Sequence, residues 1–189
     1  MSSILDEFKK RTVVFDGAMG TSIQNYDLSV SDFGGKPGAN DYLVLTKPQV
    51  IKEIHESFFD AGCQVVETCT FQSTRPRLEE WGIGDRTVEL NRTAAEIARN
   101  AARGRYSPDF PTFVSGSMGP TGFLPSTDDP ELGSVSYEQL FGWFHEQALA
   151  LIDGGVNCFQ IETSQDMLEA RAAIAACREA CSDASTDLP

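Results

Sequence analysis

The sequence has no long hydrophobic run and no excess of basic residues, and its first residues do not show the pattern of a secretory leader. No stretch of about 18 consecutive apolar residues occurs, so no segment has the composition of a transmembrane helix. The first eleven residues are polar and carry charges of both signs, unlike a signal peptide. Lys and Arg number 15 against 28 Asp and Glu, giving a net charge of -13, which argues against a phosphate backbone as partner. We therefore expect a cytoplasmic protein that binds neither nucleic acid nor membranes.

Nitrogen and sulfur ligands for a metal are also few, with two histidines and five cysteines. Without a secretory signal the cysteines are expected to be reduced thiols. His55 and His145 lie in predicted helices among charged neighbours, and we expect both to be solvated. Cys177 and Cys181 are one helical turn apart and could share a metal, but Cys177 also continues an apolar stripe with Ala173. The packing interpretation is favoured, so we expect no metal site.

Short apolar runs alternate with longer stretches of helical periodicity. The runs are at residues 12–15, 64–68, 113–116 and 158–161, and each is followed by a predicted helix, at 48–61, 88–101, 136–154 and 166–180. Such alternation predicts a parallel α/β sheet, either an open doubly wound sheet or a barrel. Chemically capable side chains follow every run, which fits a barrel better than a single crevice.

The length adds a constraint, because a barrel requires eight βα units in roughly 250 residues. The sequence therefore predicts one domain, residues 1–189, that forms the first four βα units of a (β/α)8 TIM barrel, with strands five to eight missing. Such a truncated barrel would have open sheet edges and an exposed apolar inner face. We expect it to pair with a second half, either the missing barrel half or another copy.

Motifs at the four predicted strand ends, together with two segments between them, resemble the homocysteine S-methyltransferase family in the family's order. The matching segments are residues 16–21 (DGAMGT), 40–43 (NDYL) with Pro48, 67–71 (ETCTF) with Ser73 and Thr74, 91–92 (NR) with Ala94, 116–122 (GSMGPTG) and 162–166 (ETSQD). The resemblance runs from about residue 13 to residue 180. Within the family it is greatest to the N-terminal homocysteine-binding module of cobalamin-dependent methionine synthases, with betaine-dependent and stand-alone homocysteine methyltransferases as alternatives.

The resemblance implies a methyltransferase barrel with zinc at its C-terminal mouth. Zinc would hold the sulfur of L-homocysteine as a thiolate, because a free thiol with a pKa of about 8.5 is mostly protonated at neutral pH. The thiolate would take a methyl group from methylcobalamin to form methionine. In the family three late cysteines hold the zinc, and none of the five cysteines here matches them. Zinc and cobalamin are thus implied, with their ligands and binding modules in downstream parts, and this chain alone is expected to be inactive. The alternative is a non-catalytic fragment or assembly module.

Three residues match the family's contacts to the amino acid moiety of homocysteine. Asp16 offers a carboxylate to the ammonium, and Gly17 lets the backbone approach the ligand closely. An Asp-Gly pair also makes a tight turn, which is the alternative interpretation. Glu162 matches a second contact to the amino acid, although its position before the last helix is also that of a cap.

Three further strand-end residues are candidates for the same pocket. Glu67, Thr70 and Ser117 would face the site, where they either order the loops or contact the substrate. Cys69 lies between them and either adds a thiol to the pocket or is a neutral substitution. The glycine-rich loop at residues 116–122 has neither a P-loop lysine nor a GxGxxG pattern, so nucleotide binding is not expected.

Overall fold

Residues 3–189, which the computed structural model describes, contain eight α-helices, two short 3₁₀ helices and three β-strands. The helices are α1 (Ile4–Lys10), α2 (Met19–Ile23), α3 (Leu43–Thr46), α4 (Pro48–Asp60), α5 (Arg75–Glu79), α6 (Thr87–Arg103), α7 (Tyr137–Gly154) and α8 (Met167–Asp183). The strands are β1 (Val65–Glu67), β2 (Phe113–Met118) and β3 (Cys158–Ile161), and the 3₁₀ helices span Asn40–Tyr42 and Gly84–Arg86. Across residues 3–189, no helix combines the length and the apolar character needed to cross a bilayer.

The three strands form a parallel sheet in the order β1-β2-β3. Val65 pairs with Phe113, and Ser115 pairs with both Glu67 and Cys158. Consecutive strands are neighbours, with α6 running between β1 and β2 and α7 between β2 and β3. This confirms the predicted parallel α/β sheet with helical connections.

The predicted first strand is much shorter than residues 12–15, because it pairs with the sheet only at Phe15, opposite Val65. The Asp16 N–H donates to the Val65 carbonyl at 2.9 Å, and the Val65 N–H donates to the Val14 carbonyl at 3.2 Å. The next N–H on the same edge of β1, that of Glu67 two residues later, bonds instead to the side chain of Asp16. A carboxylate thus occupies the acceptor position that backbone pairing would need. The count of four complete βα units remains a prediction.

The main core lies between the sheet and helices α6, α7 and α8. Val66, Val114 and Met118 project from the strands into a layer rich in alanine, which lets the helices approach closely. At one such approach, a Cβ on Gly154 of α7 would lie 2.5 Å from the Ala95 Cβ of α6. Cys177 is buried in this core with its Sγ 3.5 Å from the Met118 Sδ, which agrees with a packing role for this thiol.

The opposite, inner face of the sheet is partly covered by α1. Ile4 packs against Val65, Phe113 and Cys158, and all four side chains are buried. The expectation of an exposed apolar inner face is therefore wrong for this layer, because the prediction did not include a helix before residue 12. The side chain of Ser3 caps α1 by accepting the Leu5 N–H at 3.3 Å.

His55 is not a solvated helix residue, so that prediction is wrong. Its side chain is 0% exposed, and neither ring nitrogen has a hydrogen-bond partner among residues 3–189. Burial lowers its pKa to about 4, so the ring is neutral at physiological pH. His145 is partly exposed, and its Nε2 lies 2.9 Å from an Asp183 carboxylate oxygen.

Candidate functional site

A cavity of about 510 Å³ opens at the carboxyl ends of the strands. Its lining includes all six residues singled out from the sequence, which are Asp16, Gly17, Glu67, Thr70, Ser117 and Glu162. The topology explains why they meet, because parallel strands place their carboxyl ends at the same edge of the sheet. The remaining lining residues are Ala18, Met19, Gly20, Asn40, Asp41, Thr68, Cys69, Phe71 and Gln72.

Asp16 is held in the cavity by the backbone of β1. Both of its carboxylate oxygens accept the Glu67 N–H, at 3.2 and 3.1 Å. Burial, together with the nearby carboxylates of Glu67 and Glu162, raises the pKa of Asp16 to about 7 despite this bond. Asp16 can therefore carry a proton near neutrality or exchange it for a cationic ligand.

Glu67 has a similar electrostatic environment. The pKa of Glu67 is raised to about 7, mainly by burial and to a smaller extent by the nearby Glu162 carboxylate. Among the described residues that line the cavity, four are carboxylic acids and none is Lys, Arg or His. The uncompensated negative charge favours a cationic group in this cavity.

Ser117 positions Glu162, since its Oγ donates to the Glu162 Oε1 at 2.5 Å. The Glu162 N–H donates to the Met118 carbonyl at 3.1 Å, which continues the pairing of β3 with β2. The interpretation of Glu162 as a helix cap is wrong, because Asp166 is the N-cap of α8 and accepts the Leu168 N–H at 2.8 Å. The Glu162 carboxylate is thus directed to the cavity by a neighbouring strand.

Thr70 orders the loop that follows β1. Its buried hydroxyl donates to the Ser117 carbonyl at 2.7 Å and lies 2.6 Å from the Thr68 Oγ1. The Thr68 hydroxyl oxygen in turn accepts the Ser117 N–H at 3.0 Å. Of the two roles left open for Thr70, these bonds support the ordering of the loop.

Gly17 does not use a conformation reserved for glycine, because it is absent from the glycines with positive φ. A Cβ at this position would lie 3.3 Å from the Phe58 ring, so the lack of a side chain permits close packing instead. The tight-turn interpretation of Asp16-Gly17 therefore does not require a glycine. Close packing against the Phe58 ring explains a glycine at position 17 better than a tight turn does.

Asp41 is a cavity residue that the sequence analysis did not identify as part of the site. Its partly buried carboxylate accepts the Gln72 N–H at 2.9 Å and the Ser73 hydroxyl at 2.7 Å. The Cys69 Sγ lies 3.8 Å from the other Asp41 oxygen. Burial is the main cause that raises the pKa of this thiol well above its usual value, and the Asp41 carboxylate is the second. The Cys69 thiol thus lines the cavity as a protonated donor to Asp41. The only sequence signal was the position of Asp41 in the 40–43 motif.

The residues present do not fit a zinc ion. Within residues 3–189, no group of three or more His, Cys, Asp or Glu side chains is arranged to hold a metal. All five cysteines are buried and unpaired with one another. The Cys181 Sγ, one turn from Cys177, is 3.9 Å from the Leu188 carbonyl.

Comparison with known proteins gives a consistent result. The profile described as "Homocysteine S-methyltransferase" matches residues 13–188. The methionine synthases of Mycobacterium tuberculosis and Mycobacterium leprae are 38% and 36% identical over 188 residues, which is 100% of this chain but only 15% of each relative's length. The crystal structure of the homocysteine methyltransferase MmuM from Escherichia coli, in its metallated form, matches with a TM-score of 0.72 at 21% identity, over 95% of this chain and 62% of that one. The latter likeness shows a shared fold.

Proposed function

This chain belongs to the homocysteine S-methyltransferase family, and from that premise we propose that its cavity binds the amino acid moiety of L-homocysteine during methyl transfer to the sulfur. The observation that carries this proposal is the convergence of the Asp16, Glu67 and Glu162 carboxylates on a cavity without a cationic side chain. The ammonium of an amino acid supplies the missing positive charge and three N–H donors. Charge-assisted hydrogen bonds of this kind are stronger than neutral ones.

The six candidate residues take different parts in this proposal. Asp16 and Glu162 accept hydrogen bonds from the ammonium, and Ser117 keeps Glu162 in position. Gly17 contributes its backbone to the ligand contact, while the absence of its Cβ leaves room for the Phe58 ring. Glu67 adds negative charge, while Thr70 supports the loop beneath the ligand.

Activation of the sulfur is proposed to take place outside these residues. When bound, the zinc implied by the family would supply a stabilised thiolate, but the thiols of this chain do not fit it. The chain spans 15% of the length of the methionine synthases that it matches. We therefore assign zinc, methylcobalamin and the rest of the (β/α)8 barrel to other parts of a longer protein. We propose methylcobalamin as the methyl donor, as the resemblance to cobalamin-dependent methionine synthases implies, with betaine as the alternative.

Calorimetric titration of the 189-residue chain tests the binding proposal. L-homocysteine is expected to bind weakly and saturably, whereas 4-mercaptobutanoate, which lacks the amino group, should not. Asp16→Asn is expected to weaken homocysteine binding by about tenfold, since it removes a charged acceptor. Asp128→Asn, at an exposed position away from the cavity, is the matched control. Equal binding of the two ligands would overturn the ammonium assignment.

A turnover assay separates binding from catalysis. With labelled methylcobalamin and homocysteine, the purified chain is expected to form no methionine above the uncatalysed background. Methionine formation by the chain alone would contradict the assignment of sulfur activation to other segments. Failure to bind homocysteine at all would favour the non-catalytic assembly module.

A further inference from the structure

A second cavity, of about 400 Å³, lies at the opposite end of the sheet from the first. Two of its lining residues mark that position, because Thr112 immediately precedes β2 and Asn157 immediately precedes β3. The full lining is Arg99, Ala102, Arg103, Tyr106, Thr112, Val114, Gly155, Val156 and Asn157. Its volume is within the range of small-molecule sites. No residue of this cavity takes part in the proposed homocysteine site.

The charge of this cavity is opposite to that of the chain. Arg99 and Arg103 line it, and none of the described lining residues is acidic, although the chain carries 28 acidic residues against 15 basic ones. In residues 3–189, neither guanidinium has an ion pair or hydrogen bond. By contrast, Arg92 on the same helix pairs with Asp153, and Arg105 just beyond it pairs with Asp60. Two adjacent arginines are therefore available to an external anion.

Local packing places the donors around the cavity. Arg99 lies against Gly155, where a Cβ would be 2.5 Å from its Nη1, so the absence of a side chain makes room for the guanidinium. Gly155 also ends α7, as a C-cap residue in the left-handed conformation with φ 93°. Asn157 uses its side-chain oxygen to accept the Val114 N–H at 2.8 Å, and its amide NH₂ has no partner among the described residues.

The inner wall of the cavity is apolar. Ala102, Val114 and Val156 are buried core residues that form this wall, and the ring of Tyr106 stands partly exposed beside them. The Thr112 hydroxyl is engaged with the Ala102 carbonyl at 2.8 Å. A bare ion would fill only the charged part of such a cavity, whereas an anionic group on an apolar body would contact both parts.

We propose that this cavity binds a small organic anion, whose phosphate or carboxylate group is held by Arg99 and Arg103 and whose apolar body lies against Val114 and Val156. The planar guanidinium matches both oxyanions in a bidentate manner. This inference is independent of the proposed homocysteine function, because it involves different residues at the other end of the sheet.

Calorimetric titration at constant ionic strength tests the proposal with phenyl phosphate, benzoate and inorganic phosphate as probes. At least one aromatic anion is expected to bind saturably at one site, more tightly than inorganic phosphate, and the better of the two identifies the preferred oxyanion. Arg103→Ala is expected to weaken that binding by about tenfold, as loss of a charge-assisted contact does. Saturating L-homocysteine should leave it unchanged.

Arg171→Ala and Arg178→Ala are matched controls, because both arginines are exposed and lie outside this cavity. They should change affinity by less than about twofold, as expected for distant surface charges. Arg99→Ala is a second test variant, read together with its circular dichroism because Arg99 also contacts the end of α7. Non-saturating binding of every probe, or an equal loss in Arg103→Ala and Arg178→Ala, would overturn the proposal.

Discussion

The carboxylate of Asp16 accepts the backbone N–H of Glu67 through both oxygens, at 3.2 and 3.1 Å. This N–H is the next donor on the same edge of β1 after the bridge between Phe15 and Val65. The side chain thus ends the backbone pairing at the point where the cavity begins. One residue both terminates the pairing and supplies an acid to the candidate site.

Glu67→Gln is expected to change the pH dependence of stability. The pKa of Glu67 is raised to about 7 in the folded chain, so the folded state binds its proton more tightly than the unfolded state does. The contribution of Glu67 to the free energy of unfolding therefore becomes less favourable as pH rises from about 4.3 to about 7. Glutamine does not ionise, so the stability of the variant relative to the wild type should rise between about pH 5 and about pH 8. Glu67 is only partly buried and solvent screens its charge, so we expect a rise of about 1 kcal/mol rather than the full effect of the pKa shift.

Urea unfolding at a series of pH values measures this difference. Glu179→Gln is the control, because Glu179 is exposed on α8 away from the cavity. Its stability relative to the wild type should not vary with pH over the same interval. A difference between Glu67→Gln and wild type that is constant with pH would contradict the raised pKa.

The strands and long helices were predictable because their signals are local. The runs at residues 64–68, 113–116 and 158–161 coincide with β1, β2 and β3, since buried parallel strands are short and rich in apolar and β-branched residues. The co-location of the six site residues followed from parallel topology alone. The first run failed because its pairing depends on where the Asp16 side chain points, which apolar patterning does not encode.

Other errors have equally specific causes. His55 has charged sequence neighbours, but it is spaced four residues from both Ile51 and Phe59 and so lies on their buried helix face. The role of Asp41 depends on contact with residues about 30 positions later, at Gln72 and Ser73, and no local pattern specifies such a contact. Helix α1 had a usable signal in its N-cap, Ser3.

His55→Leu is expected to stabilise the chain, most of all in mild acid. The ring is fully buried with two unpaired nitrogens, and an apolar side chain of similar size avoids their desolvation cost of about 1–2 kcal/mol. Because the pKa of His55 is lowered to about 4, the unfolded state binds the proton of this ring more tightly than the folded state does. The free energy of unfolding of the wild type therefore decreases as pH falls from about 6.5 towards about 4.

Thermal unfolding at about pH 5 and about pH 7.5 measures this effect. His145→Leu is the comparison, because His145 is partly exposed and paired with Asp183, so it should give no gain in acid. If His55→Leu lowers the unfolding temperature at both pH values, an unpaired buried ring is the wrong description of this residue.

Gly154→Ala is expected to destabilise the packing of α7 against α6. The added Cβ would lie 2.5 Å from both the Ala95 Cβ and the Arg92 carbonyl oxygen, and the backbone must move to relieve the overlap. Overpacking of this kind costs about 1–3 kcal/mol. Gly142→Ala, in the same helix with no atom within 4 Å of its Cβ, should instead stabilise by about 0.5–1 kcal/mol. Chemical denaturation of both variants measures their free energies of unfolding. Changes of the same sign in the two variants would refute the close contact at Gly154.

Asp41→Ala is expected to loosen the loop after β1. It removes the acceptor of the Gln72 N–H and of the buried Ser73 hydroxyl, at a cost of about 1–3 kcal/mol. Homocysteine binding should weaken as well, since Gln72 and its neighbours line the cavity. Asp27→Ala, at an exposed position in the preceding loop, is the control for stability and affinity. Unchanged amide exchange of residues 69–73 would argue against this anchoring role.

The strand order β1-β2-β3 is also the order in which a ribosome produces the chain. Each strand pairs with the one made just before it, so every newly synthesised unit extends an edge that already exists. Within residues 3–189 no later strand inserts between earlier ones, which shortens the time that unpaired strands are exposed during translation. Beyond α8 the backbone returns to that growing edge, where the Phe159 N–H donates to the Pro189 carbonyl at 2.9 Å.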